Sequence, residues 1–97
     1  MNDLRFEWDE SKSRANKKKH GVSFEEAQSV FVDELARIMP DPDHSEGEER
    51  FLLLGMSSEF RLLIVCHVEK HADLIRIISA RKADKSERKQ YEGFSHA

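Results

Sequence analysis

Three apolar runs crowded into the second half of the chain constrain its fold more than any other feature: residues 51–56 (FLLLGM), 62–68 (LLIVCHV) and 74–81 (LIRIISAR). Residues 57–60 and 69–73 separate them, and gaps this short join neighbouring antiparallel strands, so the simplest arrangement is a β-meander. Arg61, His67, Arg76 and Arg81 border or interrupt this apolar wall. A guanidinium is costly to bury, so each needs a partner or a function.

The chain has 97 residues, one cysteine (Cys66), and no apolar stretch near the roughly 20 residues that cross a bilayer. It is expected to form one domain without a disulfide, a linker or a membrane partner. The N-terminal MNDLRFEWDE lacks the basic and apolar regions of a signal peptide, which with the lone thiol points to a reducing, cytoplasmic setting. The net charge of -3 conceals a strong polarity: residues 21–50 carry nine acids and two bases, whereas the rest carries fourteen bases and ten acids. Attraction is set by local potential within a Debye length of about 8 Å. One face can therefore attract a polyanion although the whole is acidic.

Residues 4–8 (LRFEW) alternate apolar and charged, which predicts a short edge strand with Leu4, Phe6 and Trp8 inward. Asp9 or Ser11 can cap a following helix that ends at Gly21, with Lys17, Lys18 and Lys19 where cations suit the helix dipole. That helix has almost no apolar residues and reads as a solvated, charged element; Lys12, Asn16 and His20 share one of its faces. Ser23-Phe24-Glu25-Glu26 has the S-x-x-E capping form, and Phe24, Ala27, Val30 and Phe31 make the packing stripe of a second helix. Residues 36–39 are a short candidate strand, and the prolines and charges of 40–49 make a loop. Asp41, Asp43 and His44 in that loop have the chemistry to ligate a cation, but such residues are commoner in a solvated turn, and no metal or other cofactor is expected. Asp84 with Glu87 starts a basic third helix, which should stop before Gly93 and leave residues 93–97 loose.

Side chains alternate along a strand, and directly opposed residues share a face. Leu62, Ile64, Cys66 and Val68 form a wholly apolar row, while Arg61, Leu63, Val65 and His67 form a mixed one. In the next strand Ile75 and Ile77 are apolar, and Leu74, Arg76 and Ile78 mixed. Pairing the apolar rows against the second helix predicts that Arg61, His67 and Arg76 gather on the opposite face. Such a face suits phosphate, because arginine presents a planar fork of permanently charged donors and histidine moves protons near neutrality. Together they can assist metal-free RNA cleavage, in which the ribose 2′-hydroxyl attacks the neighbouring phosphate and cations stabilise the crowded intermediate. DNA lacks that hydroxyl. Plainer readings pair Arg76 with Glu69 or Asp73 and make His67 a packing residue. Two other functions stay open at this point: a non-catalytic module that joins a DNA-binding partner, and a metal-dependent nuclease using Asp41, Asp43 and His44.

The ordered set Phe6-Glu7-Trp8-Asp9, Lys12, Asn16, residues 19–27 (KHGVSFEEA), Phe31, Asp33, Gly55-Met56-Ser57, residues 76–81 (RIISAR), Glu87-Arg88 and Tyr91-Glu92 resembles the BrnT toxin family across residues 6–92. The resemblance implies a RelE-like α+β fold, an antiparallel meander carrying two N-terminal helices and a short C-terminal one. It implies an endoribonuclease toxin of a type II toxin–antitoxin pair that arrests growth. Its partner would be a BrnA-like antitoxin, so that operator DNA is reached only through the antitoxin and the complex represses its own operon. On this basis Arg61, Arg76 and Arg81 are assigned to phosphate binding and transition-state charge, and Glu69 is a candidate base. His20 becomes the better proton carrier, with His67 the other, although His20 could instead fix the turn before Gly21. Lys12, Lys19, Lys82 and Arg88 are placed as RNA contacts.

Overall fold

The computed structural model describes residues 4–41, 48–71 and 73–95. Asp43 and His44 of the candidate cation group, and residues 96–97 of the expected tail, lie outside the described residues. In chain order the elements are β1 (Arg5–Glu7), α1 (Glu10–His20), α2 (Phe24–Ser29) with a tight 3-10 turn over Val30–Val32, β2 (Arg37–Pro40), β3 (Arg50–Met56), β4 (Leu62–His71), β5 (Leu74–Lys82) and α3 (Lys85–Ser95). The five strands make one sheet in the order β1-β5-β4-β3-β2. Strands β2 to β5 form the expected antiparallel meander. β1 adds to it in parallel, Arg5 to Glu7 lying against Leu74 to Arg76, so the sheet is mixed.

Helix limits follow local chemistry. Asp9 caps α1 by accepting from Lys12 N at 3.2 Å, and Gly21 ends it at φ 73°, ψ 17°, a left-handed conformation that glycine adopts without steric cost. Ser23 Oγ accepts from Glu26 N at 3.0 Å and starts α2. α3 runs past the expected stop, because Gly93 does not take the left-handed conformation that would terminate it. Gly55 serves a different need: a Cβ there would lie 2.8 Å from both Ala36 Cβ and Val30 Cγ1, so only glycine lets the residues after α2 press onto β3.

The sheet is covered on both faces, and this overturns the expected register. Phe24, Ala27 and Val30 pack on Leu53, Leu63, Val65, Ile75, Ile77 and Ala80. On the other face Tyr91 of α3 packs on Leu54, Leu62 and Ile64. The row read as mixed therefore lies under α2, and the wholly apolar row lies under α3. With both faces buried, hydrophobicity does not choose between the rows. Irregularities between Cys66 and His67 and between Glu69 and His71 shift the pairing further, so that His67 opposes Ile77 while Val68 opposes Arg76. Arg76 and His67 end on opposite sides of the sheet. The expected gathering of Arg61, His67 and Arg76 on one face does not occur.

α1 is held to β5 by a polar device, the Asn16 side chain. β1 pairs with β5 only as far as Arg76, which leaves the outer edge of β5 beyond it without a strand. Asn16 fills the gap: its Nδ2 donates to Val22 O and Ala80 O, both at 2.8 Å, and its Oδ1 accepts from Ala80 N at 3.1 Å. The carboxamide does for Ala80 what a neighbouring strand would do. α1 is thus not wholly solvated, since Ser13 and Asn16 are buried.

Candidate active site

Each of the three expected arginines meets a carboxylate, but in three different places. Arg61 donates through Nε and Nη2 to Glu26 and through Nη2 to the Gly21 carbonyl at 2.8 Å. Glu26 starts inside the α2 cap, yet its carboxylate leaves the cap to accept from Arg61 and from Ser57 Oγ at 2.7 Å. The hydrogen bond from Arg61 holds the Glu26 carboxyl below its ordinary value. The adjacent cavity, about 600 Å³, sets Glu25, Glu26 and Glu59 against Lys17 and Arg61, a balance that repels phosphate. Arg61 therefore ties the end of α1 to α2 and the β3–β4 turn.

Arg76 points to the α3 side of the sheet, its Nε 3.0 Å from Glu7. His67 is fully buried on the α2 side, edge-on to Phe31 at 4.9 Å between centroids. Burial pushes its pKa down. Its Nε2 has no hydrogen-bond partner among the described residues and lies 3.7 Å from the exposed Glu69 carboxylate. His67 and Glu69 are thus near each other but away from the other candidate residues.

The place where sequence candidates do converge is a cleft of about 310 Å³ on the α3 side, lined by His20, Arg50, Arg81 and Asp41 over a floor that includes Ile64 and Cys66. Its geometry follows from the elements above. Asn16 pins α1 to Ala80, and His20, one turn later on the same helix face, is carried to the edge of β5 beside Arg81. Arg81 donates to Glu87 through Nη1 at 2.9 Å and Nη2 at 2.8 Å, and its Nη1 also donates to Lys82 O at 3.2 Å. Of five guanidinium N–H groups, Nε–H and one Nη2–H remain without a partner among the described residues, and these two form a fork that fits phosphate oxygens. The Arg81 side chain is 42% exposed and so reachable.

Arg50 completes the cleft and was missed from sequence, where the strand was begun one residue later and Arg50 entered only the charge count of the acidic stretch 21–50. Its register partner Val68 separates it from Arg76, which puts the two arginines on one face about 10 Å apart, two strand spacings. Asp41, the one acid among the described residues that line the cleft, is buried and accepts from Cys66 Sγ at 3.7 Å. Burial pushes the Cys66 thiol up to about 11, so it stays protonated and is no nucleophile at neutral pH. Lys12, Lys19 and Lys82 are exposed cations, and Arg88 pairs with Glu92 at 3.9 Å on α3. No helix among the described residues is long and apolar enough to cross a membrane.

The shifted groups fix a pH profile of stability. His67, lowered by burial from its ordinary 6.5, must take up a proton on unfolding in acid, so stability falls as pH drops below about 6.5. Glu26 and Glu87, each lowered from 4.5 chiefly by its arginine, hold stability that is present above about 4.5 and lost as pH falls through their folded values. Cys66, raised from 9.0 to about 11, and Tyr91, raised from 10.0 to about 12 by burial and its hydrogen bond to Asp33, act on the alkaline side. Their contributions are complete below the lower value and lost as pH rises through the upper one. Thermal melts should therefore show a plateau between about pH 6.5 and 9. His67→Phe should remove the decline between pH 6.5 and 5; an unchanged decline would show that His67 is not its source.

The chain matches, over residues 8–87, the model of a family described as the ribonuclease toxin, BrnT, of type II toxin–antitoxin systems. Among solved structures, the 1.1 Å crystal structure of the Brucella abortus ribonuclease toxin BrnT superposes with a TM-score of 0.66 at 21% sequence identity, covering 84% of this chain and 99% of that one. No curated protein matches. At that identity the structural likeness shows a shared α+β fold, while the family match spans most of the sequence. The chain belongs to the BrnT family of ribonuclease toxins of type II toxin–antitoxin systems.

Proposed function

We propose that this protein is a cytoplasmic endoribonuclease toxin that cuts RNA in the cleft between His20, Arg50 and Arg81, and that a BrnA-like antitoxin neutralises it and carries the complex to operator DNA. The observation that carries the reading is the convergence of His20 with two arginines around one cleft, in a family of ribonuclease toxins. The 2′-oxygen attacks phosphorus and the bond to the 5′-oxygen breaks, so the products end in a 2′,3′-cyclic phosphate and a 5′-hydroxyl. Arg81, with its remaining Nε–H and Nη2–H fork, and Arg50 stabilise the negative charge that grows on the phosphate. His20 transfers the proton. Lys12, Lys19, Lys82 and Arg88 attract the RNA backbone. Arg61 acts through the fold, Arg76 extends the basic face, and His67 and Glu69 take no part. Arginine supplies the charge that a metal supplies in other nucleases, so cleavage requires no metal.

Induced expression in a bacterial host should arrest growth with loss of RNA, and purified protein should cleave RNA in excess EDTA to cyclic-phosphate ends. Harmless expression would overturn the toxin reading. Cleavage that stops in EDTA and returns with a divalent cation would overturn the metal-free chemistry.

A further inference from the structure

Val32, Leu35, Ile38 and Phe60 are large apolar side chains left in solvent, at 81%, 48%, 51% and 88% exposure. Scattered singly they would be ordinary, whereas a contiguous apolar patch rimmed by charge marks an interface. Here they are placed around the C-terminal half of β3 and the turn after it. Val32 shares a shallow groove of about 380 Å³ with Met56 and Ser58, and Phe60 stands two residues further along the same turn. Asp33 accepts from Met56 N at 2.8 Å and from Leu35 N at 3.0 Å, which lays Leu35 beside the end of β3. Ile38 follows on β2, the outermost strand.

Phe60 is the sharpest signal in this patch. It has φ 62°, a left-handed conformation that costs a bulky residue energy and glycine none. The turn is closed by backbone bonds from Phe60 N to Ser57 O at 3.0 Å and from Ser57 N to Arg61 O at 2.8 Å, which any residue could make. The free protein thus holds an aromatic ring in strain and in water, and burial of the ring against another surface would offset both. The rim is acidic: Asp33, Glu34 and Glu59 flank the patch, while of the bases Arg37 and Arg61 nearby, Arg61 is already neutralised by Glu26.

We infer that this patch is the anchoring surface for the antitoxin, which meets it with a segment of apolar and basic side chains laid across the groove. The partner's identity rests on the toxin reading above. The patch and the RNA cleft lie at opposite ends of β3, Met56 and Arg50 being about 20 Å apart along the strand. Anchoring and catalysis therefore use different side chains and can be separated by substitution.

The test uses the purified full chain and, as probe, the DNA-binding protein encoded by the adjoining reading frame, with affinity read by calorimetry. Val32→Glu and Phe60→Gly should each weaken the complex by about 100-fold, the size of one buried anchor, while RNA cleavage by free toxin stays at the wild-type rate and is no longer suppressed by the antitoxin. Phe60→Gly should melt no lower than wild type, which keeps the test valid if Val32→Glu fails to fold. Affinity within about threefold of wild type for Phe60→Gly would overturn the inference. So would a wild-type dimer that both variants dissociate with antitoxin binding unchanged, since the patch would then seat a second copy of this chain. If wild-type protein cleaves no RNA but the variants still lose the antitoxin, the toxin reading fails and the docking surface stands.

Discussion

Asn16→Leu, which keeps the branch at Cγ but removes both polar atoms, should destabilise the protein by about 3 kcal/mol, enough to lower the melting temperature by about 15 °C in a chain of this size. The reason is specific. The substitution leaves three buried backbone groups, Val22 O, Ala80 O and Ala80 N, without their present partner, and a buried polar group left unpaired costs about 1 to 3 kcal/mol. It also frees the end of α1, so the variant should lose cleavage even where it remains folded, because His20 is no longer held at the cleft. Asn16→Asp keeps one acceptor for Ala80 N but no donor for either carbonyl, and should be at least as damaging. Denaturant melts of the three proteins decide the matter: a loss under about 1 kcal/mol would mean that the β5 edge is served by water and that Asn16 does not hold the helix.

Arg81→Lys should reduce cleavage by about 100- to 1000-fold, the range seen when one donor to a developing oxyanion is removed, and its loss should fall on kcat. Lysine keeps the charge but not the planar fork, so this variant separates geometry from attraction. The fold should survive, because the pair with Glu87 is partly exposed, and such pairs contribute about 1 kcal/mol or less. Glu87→Gln is the companion. It leaves Arg81 its charge and returns donors to the cleft, so cleavage should persist or rise while acid stability changes. Cleavage by Arg81→Lys within about threefold of wild type would remove Arg81 from the chemistry.

Much of this architecture was legible in the residues. The three apolar runs gave the meander, Asp9 and Ser23 gave the helix starts, and Gly21 gave the end of α1, because each of these depends on chemistry local in sequence. What was not legible depends on contacts across the chain. The side of the sheet taken by Arg76 and His67 turns on two irregularities in the β4–β5 pairing and on α3 covering the face expected to be open. Neither leaves a mark in composition or alternation. Asn16 looked like one more polar residue on a charged helix, since its partners lie 6 and 64 residues away. Arg50 was hidden by a strand boundary one residue out of place. Residues that carry the family resemblance nevertheless meet in space: Asn16, and His20 of the 19–27 block, with Ala80 and Arg81 of the 76–81 block.

The parallel pairing of β1 with β5 has a consequence for how the toxin is made. Arg5 hydrogen-bonds to Asp73 across 68 residues, and His20 and Arg81 come from nearly opposite ends of the polypeptide. A nascent chain on the ribosome cannot assemble the cleft until its final strand has emerged, because the arginines and the strand edge that receives Asn16 are synthesised late. Residues 21–50, which carry nine of the acids, are synthesised well before then. A cell producing this protein therefore meets the assembled cleft only after most of each round of translation is over, by the order in which its parts are built.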